Sequence, residues 1–179
     1  MRVLVTGAFG QIGTELVEAL REMHGRDNVL ATGRNVRDRE ASGPTAILDA
    51  TCADALARIV EREGIQVVYH LAAVLSAVGE REPERAWHVN MTGLRNVLEI
   101  AKAKSLRVFW PSSIAVFGPS SPREAVPDET IMRPTTIYGV TKLAGELLAD
   151  YYARHFGVDV RGVRYPGIIS ASAPPGGGT

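Results

Sequence analysis

Short apolar runs alternate with longer amphipathic ones from the first residues onward. Arg2–Thr6 is an apolar, partly β-branched run that reads as a strand, and the glycine-rich Gly7–Gly13 follows it. From Gln11 to His24, the residues Ile12, Leu16 and Leu20 recur at helical spacing and form one stripe. Asn28–Thr32 predicts a second strand, the polar, arginine-rich Gly33–Pro44 a loop, and Ala46–Asp49 a third strand. Thr51, with Asp54 three residues on, has the pattern of a helix N-cap, and Leu56, Ile59 and Val60 supply the stripe of the helix it would open. Gln66–Ala72 is almost wholly apolar, as expected of a parallel strand covered on both faces. Pro83 opens a long helix that ends near Ser105, with Leu94, Val97, Leu98 and Ala101 on one side. Leu106–Ser112 predicts a fifth strand, and Ser120–Pro134, rich in proline and charge, a surface excursion. A last helix runs from about Thr136 to Phe156, where Gly157 stops it, and Val158–Arg164 predicts a sixth strand.

Strands that alternate with helices predict the α/β class: a doubly wound parallel sheet with strand order 3-2-1-4-5-6 and a ligand crevice at the switch between strands 1 and 4. The 179 residues suit one domain, and the 45% of apolar residues is enough for a core. Twenty basic residues balance twenty acidic ones, which speaks against a general nucleic-acid binder. No apolar run is long enough to span a bilayer, and Met1–Thr6 has no signal-peptide pattern. A lone cysteine, Cys52, fits a reducing cytoplasm and no disulfide framework. His24, His70, His88 and His155 are scattered without metal-site spacing, so no metal is expected.

Candidate chemistry sits at the strand ends. Gly7, Gly10 and Gly13, with Gln11 and Ile12 between the last two, occupy the first strand–helix junction. There a tight turn, a close backbone approach and a free helix N-terminus suit a dinucleotide's phosphates. Tyr138 and Lys142 stand four apart on a predicted helix and so share a face. An ammonium beside a phenol favours the phenolate, which makes Tyr138 a candidate proton acceptor. In isolation the same residues also fit a surface Tyr, with Lys142 paired to Glu146 one turn on. Ser112 and Ser113 end the fifth strand, where serines equally serve as local backbone caps.

The spacing Gly7-x-x-Gly10-x-x-Gly13, the segment His70-Leu71-Ala72-Ala73, Asn90-Met91-Thr92-Gly93, the serines of Ser112-Ser113-Ile114-Ala115-Val116-Phe117-Gly118, and Tyr138-x-x-x-Lys142 together resemble the extended short-chain dehydrogenase/reductases. Phe109–Pro119, Arg164-Tyr165-Pro166-Gly167 and Pro174–Thr179 resemble, within that family, the short-chain-type L-threonine 3-dehydrogenases. The resemblance spans Met1 to Thr179 and implies a Rossmann fold, NAD as cofactor, L-threonine as substrate and a homodimer formed through the helices near Pro83–Ser105 and Thr136–Phe156. It implies Tyr138, Lys142 and Ser113 as catalytic residues. Cofactor contacts are implied for Gly7, Gly10, Gln11, Ile12, Gly13, Arg34, Asp49, Ala50, Leu71, Ala72, Ala73, Asn90, Ser112, Tyr138, Lys142 and Tyr165. Ser76, Ser113, Tyr138 and Thr179 are expected near the substrate. Nucleotide-sugar epimerases or dehydratases and a non-catalytic dinucleotide-binding protein are the alternative readings.

One segment departs from the family. Thr32-Gly33-Arg34-Asn35 lacks the acidic residue that holds the adenosine ribose of NAD, and Gly followed by Arg suits a 2′-phosphate, so NADP stays open. In a strict NAD enzyme, Gly33→Asp would be expected to tighten NAD. The family also leads one to expect a smaller substrate lobe beyond Thr179.

Overall fold

The computed structural model describes residues 1–35 and 43–169. Its main sheet has six parallel strands in the order β3-β2-β1-β4-β5-β7, made from β1 (Val3–Thr6), β2 (Val29–Gly33), β3 (Thr45–Ile47), β4 (Val67–His70), β5 (Arg107–Phe109) and β7 (Asp159–Arg161). Counted within this sheet, that is the expected order 3-2-1-4-5-6. β6 (Ser112–Ser113) and β8 (Arg164–Tyr165) form a second, two-stranded parallel sheet.

Alternation along β1 divides the core. Val3 and Val5 join Val29, Ala31 and Val67 against Val17 and Leu20 of α1 (Gln11–His24). Leu4, Leu30, Val68 and Val108 point the other way, onto Leu56 and Ile59 of α2 (Ala53–Glu63) and Leu94, Val97 and Leu98 of α5 (Gly93–Lys104), with Tyr152 of α6 (Ile137–Phe156) completing that layer. A sheet covered on both faces is why β1 and β4 read as continuous apolar runs.

Several predicted elements change at their ends. Cys52, not Thr51, is the N-cap of α2; the Thr51 amide and hydroxyl both donate to Asp49 Oδ1, at 2.9 and 2.7 Å. The long helix from Pro83 is interrupted: α4 (Pro83–Trp87) passes through a π-turn at His88–Thr92 before α5. A short helix, α3 (Ser76–Gly79), follows β4 and was not predicted. The sixth predicted strand divides at Gly162, where a Cβ would lie 2.1 Å from the Trp110 carbonyl, and its end pairs with β6 as β8. Among the described residues no helix is long and apolar enough to cross a membrane.

The packing of α6 on the sheet rests on Gly145, where a Cβ would come within 2.4 Å of the Trp110 ring and 3.0 Å of Leu94. Gly145→Ala should therefore overpack this contact and lower stability by about 1–3 kcal/mol. A urea unfolding midpoint measured against the parent chain checks this.

Candidate active site

The C-terminal ends of the parallel strands open into one cleft of about 860 Å³. Its first wall is the turn after β1. Gly7 has φ +68°, and a Cβ on it would lie 2.6 Å from the Ala72 amide nitrogen, so the turn presses directly on the chain leaving β4. At Gly13 a Cβ would meet the Gly7 carbonyl at 2.5 Å, which is how α1 starts so close to the sheet. Gly10 is the N-cap and offers no side chain to the first-turn N–H groups of Gln11, Ile12 and Gly13. Such groups have no partner inside a helix and suit an anion. The Gln11 side chain is engaged elsewhere, donating to the Ile168 carbonyl at 2.9 Å.

The cleft continues past Gly33, Arg34, Asp49 and Ala50 on one side and past Leu71, Ala72, Ala73 and Ser76 on the other. Burial raises the Asp49 pKa, but the two hydrogen bonds from Thr51, helped by Arg34, outweigh it and keep Asp49 below the usual carboxylate value. At Gly33 a Cβ would lie 2.9 Å from the Phe9 ring. No side chain fits there until that ring moves, which corrects the expectation that Gly33→Asp would simply add a ribose contact.

The far wall carries Ser112, Ser113, Tyr138, Lys142 and Tyr165. Thr136 caps α6 by accepting from the Gly139 amide at 3.0 Å, so the helix begins immediately before Tyr138. Lys142 is only 5% exposed. Its Nζ donates to the Pro111 carbonyl at 2.7 Å and lies 4.6 Å from the Trp110 ring centroid and 5.5 Å from that of Tyr138. Burial lowers its pKa to about 8, with Glu146 opposing. The Tyr138 phenol is raised by burial, and a hydrogen bond with Ser113 partly offsets the rise. This corrects the expected charge relation: with its ammonium drawn to Pro111, Lys142 does not lower the Tyr138 pKa here, and Ser113 is the group that does.

Asn90 is a second correction. It is buried in the π-turn and does not line the cleft. Its Oδ1 accepts from the Val74 amide at 2.7 Å, and its Nδ2 donates to the Val74 carbonyl at 3.1 Å and to Thr141 Oγ1 at 3.0 Å. Both ends of the amide are engaged, so it braces the β4 exit against α6 and offers no free polar atom to the cleft. Thr179 lies outside the described residues. The Pro111 carbonyl was not anticipated from the sequence, and Glu146 was named there only as a surface partner of Lys142. Glu146 accepts from Ser112 Oγ and, bidentately, from Arg164 Nε and Nη2 at 2.8 Å each. Its spacing from Lys142 was a visible signal, but its sheet partners were not. Among the described residues no group of His, Cys, Asp or Glu could hold a metal ion.

Glycine loop, β4 exit and Tyr–Lys helix around one crevice define an α/β protein of the dinucleotide-binding class. A model of the NAD dependent epimerase/dehydratase family matches residues 3–178, and the chain belongs to that family. It is 51% identical over 183 aligned positions to an uncharacterized epimerase/dehydratase of Staphylococcus haemolyticus (strain JCSC1435), covering 99% of this chain and 57% of the relative. Among solved structures it is similar to a partial consensus L-threonine 3-dehydrogenase, with TM-score 0.97, 51% identity, and coverage of 99% of this chain and 58% of the other. It is also similar to the L-threonine dehydrogenase of Clostridium difficile, with TM-score 0.96, 50% identity, and coverage of 99% and 56%. The chain thus spans little more than half the length of each.

His70, at the end of β4, gives a stability test. It is fully buried, shares a 2.7 Å hydrogen bond with Thr6 Oγ1 through Nδ1, and its Nε2 has no partner among the described residues. Burial, then Lys142, lowers its pKa from 6.5 to about 3. Between those values the unfolded chain binds the proton and the folded chain does not. Stability is therefore fully present above the unfolded pKa and falls as pH drops toward the folded one. Unfolding free energies from urea titrations between about pH 7.5 and 5.5 should fall with a slope approaching about 1.4 kcal/mol per pH unit, and His70→Gln should flatten it.

Proposed function

We propose that this chain is the dinucleotide-binding domain of an NAD-dependent L-threonine 3-dehydrogenase, whose whole form adds a smaller substrate lobe. One observation carries the reading: Tyr138, Lys142 and Ser113 line the same cleft as the glycine loop, in a chain about half identical to solved L-threonine dehydrogenases. The donor set fits NAD. First-turn amides of α1 at Gln11, Ile12 and Gly13 suit the pyrophosphate, Asp49 and Ala50 the adenosine end, and Leu71–Ala73 with Ser112, Lys142 and Tyr165 the nicotinamide half. When bound, NAD supplies the acceptor for the hydride that leaves C3 of the substrate.

Tyr138 takes the proton of the C3 hydroxyl, so that threonine becomes 2-amino-3-oxobutanoate. Its raised pKa means the phenolate must be stabilised where it forms. The Ser113 hydrogen bond does this. Ser113 also orients the substrate oxygen, and Ser76, at the start of α3, faces the small polar substrate. Thr179 is assigned the same role. A second copy of the chain is the partner, docking on the helices that carry the exposed Trp87, Val140, Leu147 and Tyr151. Placement in the cytoplasm goes with this reading.

Cofactor reduction by the whole protein with L-threonine, against UDP-glucose as the epimerase substrate, tests the assignment. Epimerisation without threonine oxidation would move it to the nucleotide-sugar enzymes, and binding of NAD with neither reaction to a dinucleotide sensor. Tyr138→Phe should cut turnover about 100- to 10,000-fold while leaving cofactor affinity nearly unchanged. Fluorescence titration of this chain should show tighter binding of NAD than of NADP. Arg34→Ala should weaken NADP alone, and Gly33→Asp should not tighten NAD, because of Phe9.

A further inference from the structure

Tyr138, Lys142 and Glu146 follow one another at four-residue intervals on α6 and so share a face. Only the first two line the cleft. Glu146 sits behind them, with its side chain 19% exposed, and its carboxylate is fully engaged on the sheet side. Ser112 and Arg164, the two groups it holds, are directly paired across β6 and β8, and the next pair in that register is Ser113 and Tyr165, both in the cleft. The carboxylate therefore lies between a buried ammonium on its own helix and a guanidinium on the strand that floors the site.

Among the described residues, Tyr138 and Glu146 face Lys142 from its own helix, and His70 of β4 lies near it, held neutral by burial; Arg164 of β8, itself beside Asp128, is held on Glu146. The Trp110 ring and the Pro111 carbonyl also lie against its Nζ. Glu146 is thus the acidic group that offsets the burial of Lys142, and Arg164 competes for it.

We propose that Glu146 is a positioning residue for Lys142: its carboxylate is the counter-charge that keeps the buried ammonium protonated, and Arg164 sets how much of that charge Lys142 receives. This rests on the reading of Lys142 as a working residue of the cleft, but its test needs neither cofactor nor turnover. The chain has three lysines, Lys102, Lys104 and Lys142, so lysine labelled with carbon-13 at Cε gives three resolvable titrations, assigned by Lys142→Arg. Lys142 should titrate near its lowered value of about 8, apart from the other two. Glu146→Gln should lower that midpoint by roughly one unit, and Arg164→Gln, which frees the carboxylate, should raise it. Glu146→Asp should recover most of the difference. General loosening of the site would instead bring water to Lys142 and raise both midpoints. Opposite shifts support the proposal; shifts of the same sign, or none, overturn it. If Glu146→Gln does not fold, Glu146→Asp, whose shorter carboxylate stands farther from Nζ, replaces it: a small downward shift there against the upward one of Arg164→Gln supports the proposal, and no downward shift overturns it. Absence of threonine oxidation in a protein that shows the opposite shifts would remove the substrate assignment and leave this pairing intact.

Discussion

The backbone contact between Gly7 and Ala72 is the constraint on which the site depends. Two parallel strands, β1 and β4, end side by side, and the chains leaving them must diverge to make a crevice. Here they diverge only after touching, because Gly7 carries no Cβ and adopts a positive φ. That contact brings the α1 N-terminus to the β4 exit, so first-turn amides and the Leu71–Ala73 backbone face one cleft. Thr6 and His70, paired at the ends of the same two strands, lock the contact from below through a buried hydrogen bond. The enclosed imidazole is kept neutral there, which ties a structural brace to the acid sensitivity of the fold.

The opposite wall is held by polar groups rather than by close backbone packing. Asn90 in the π-turn joins the β4 exit to Thr141, one residue before Lys142. A π-turn offsets a helix by one residue, and here the offset goes with an inward amide that satisfies three polar atoms. Glu146 does the corresponding work on the other side of α6, tying Ser112 and Arg164 to the helix. The Tyr–Lys pair is therefore clamped between one buried and one half-buried polar network. Its protonation is governed first by desolvation, which raises the phenol and lowers the ammonium, and only then by neighbouring charge.

Periodicity and glycine spacing were enough to read the α/β class, the strand order and the crevice at the β1–β4 switch, whereas Arg34, Asp49, Ala50, Leu71–Ala73, Ser76 and Tyr165 came from the family resemblance. These signals are local: apolar alternation, helical spacing and a glycine turn at a strand end act within one or two elements. The N-cap of α2 shows where local reading fails, since Thr51 has the right side chain but turns it to Asp49. Asn90 shows a different limit. Its place in a family pattern points to the cofactor, while its actual partners come from segments 16 and 51 residues away.

Sequence by itself determined which residues this crevice would gather, because strand ends in a parallel sheet converge on one edge whatever their loops do. Tertiary structure decided what those residues do to one another. That Lys142 points to Pro111, that Phe9 closes the space beside Gly33, and that Glu146 meets an arginine 18 residues on all depend on the distance between chain segments remote in sequence. Desolvation is likewise a property of the packed fold and not of any residue type. The pKa of Tyr138, the lowered value of Lys142 and the neutral state of His70 could therefore be reached only once the surroundings were in place.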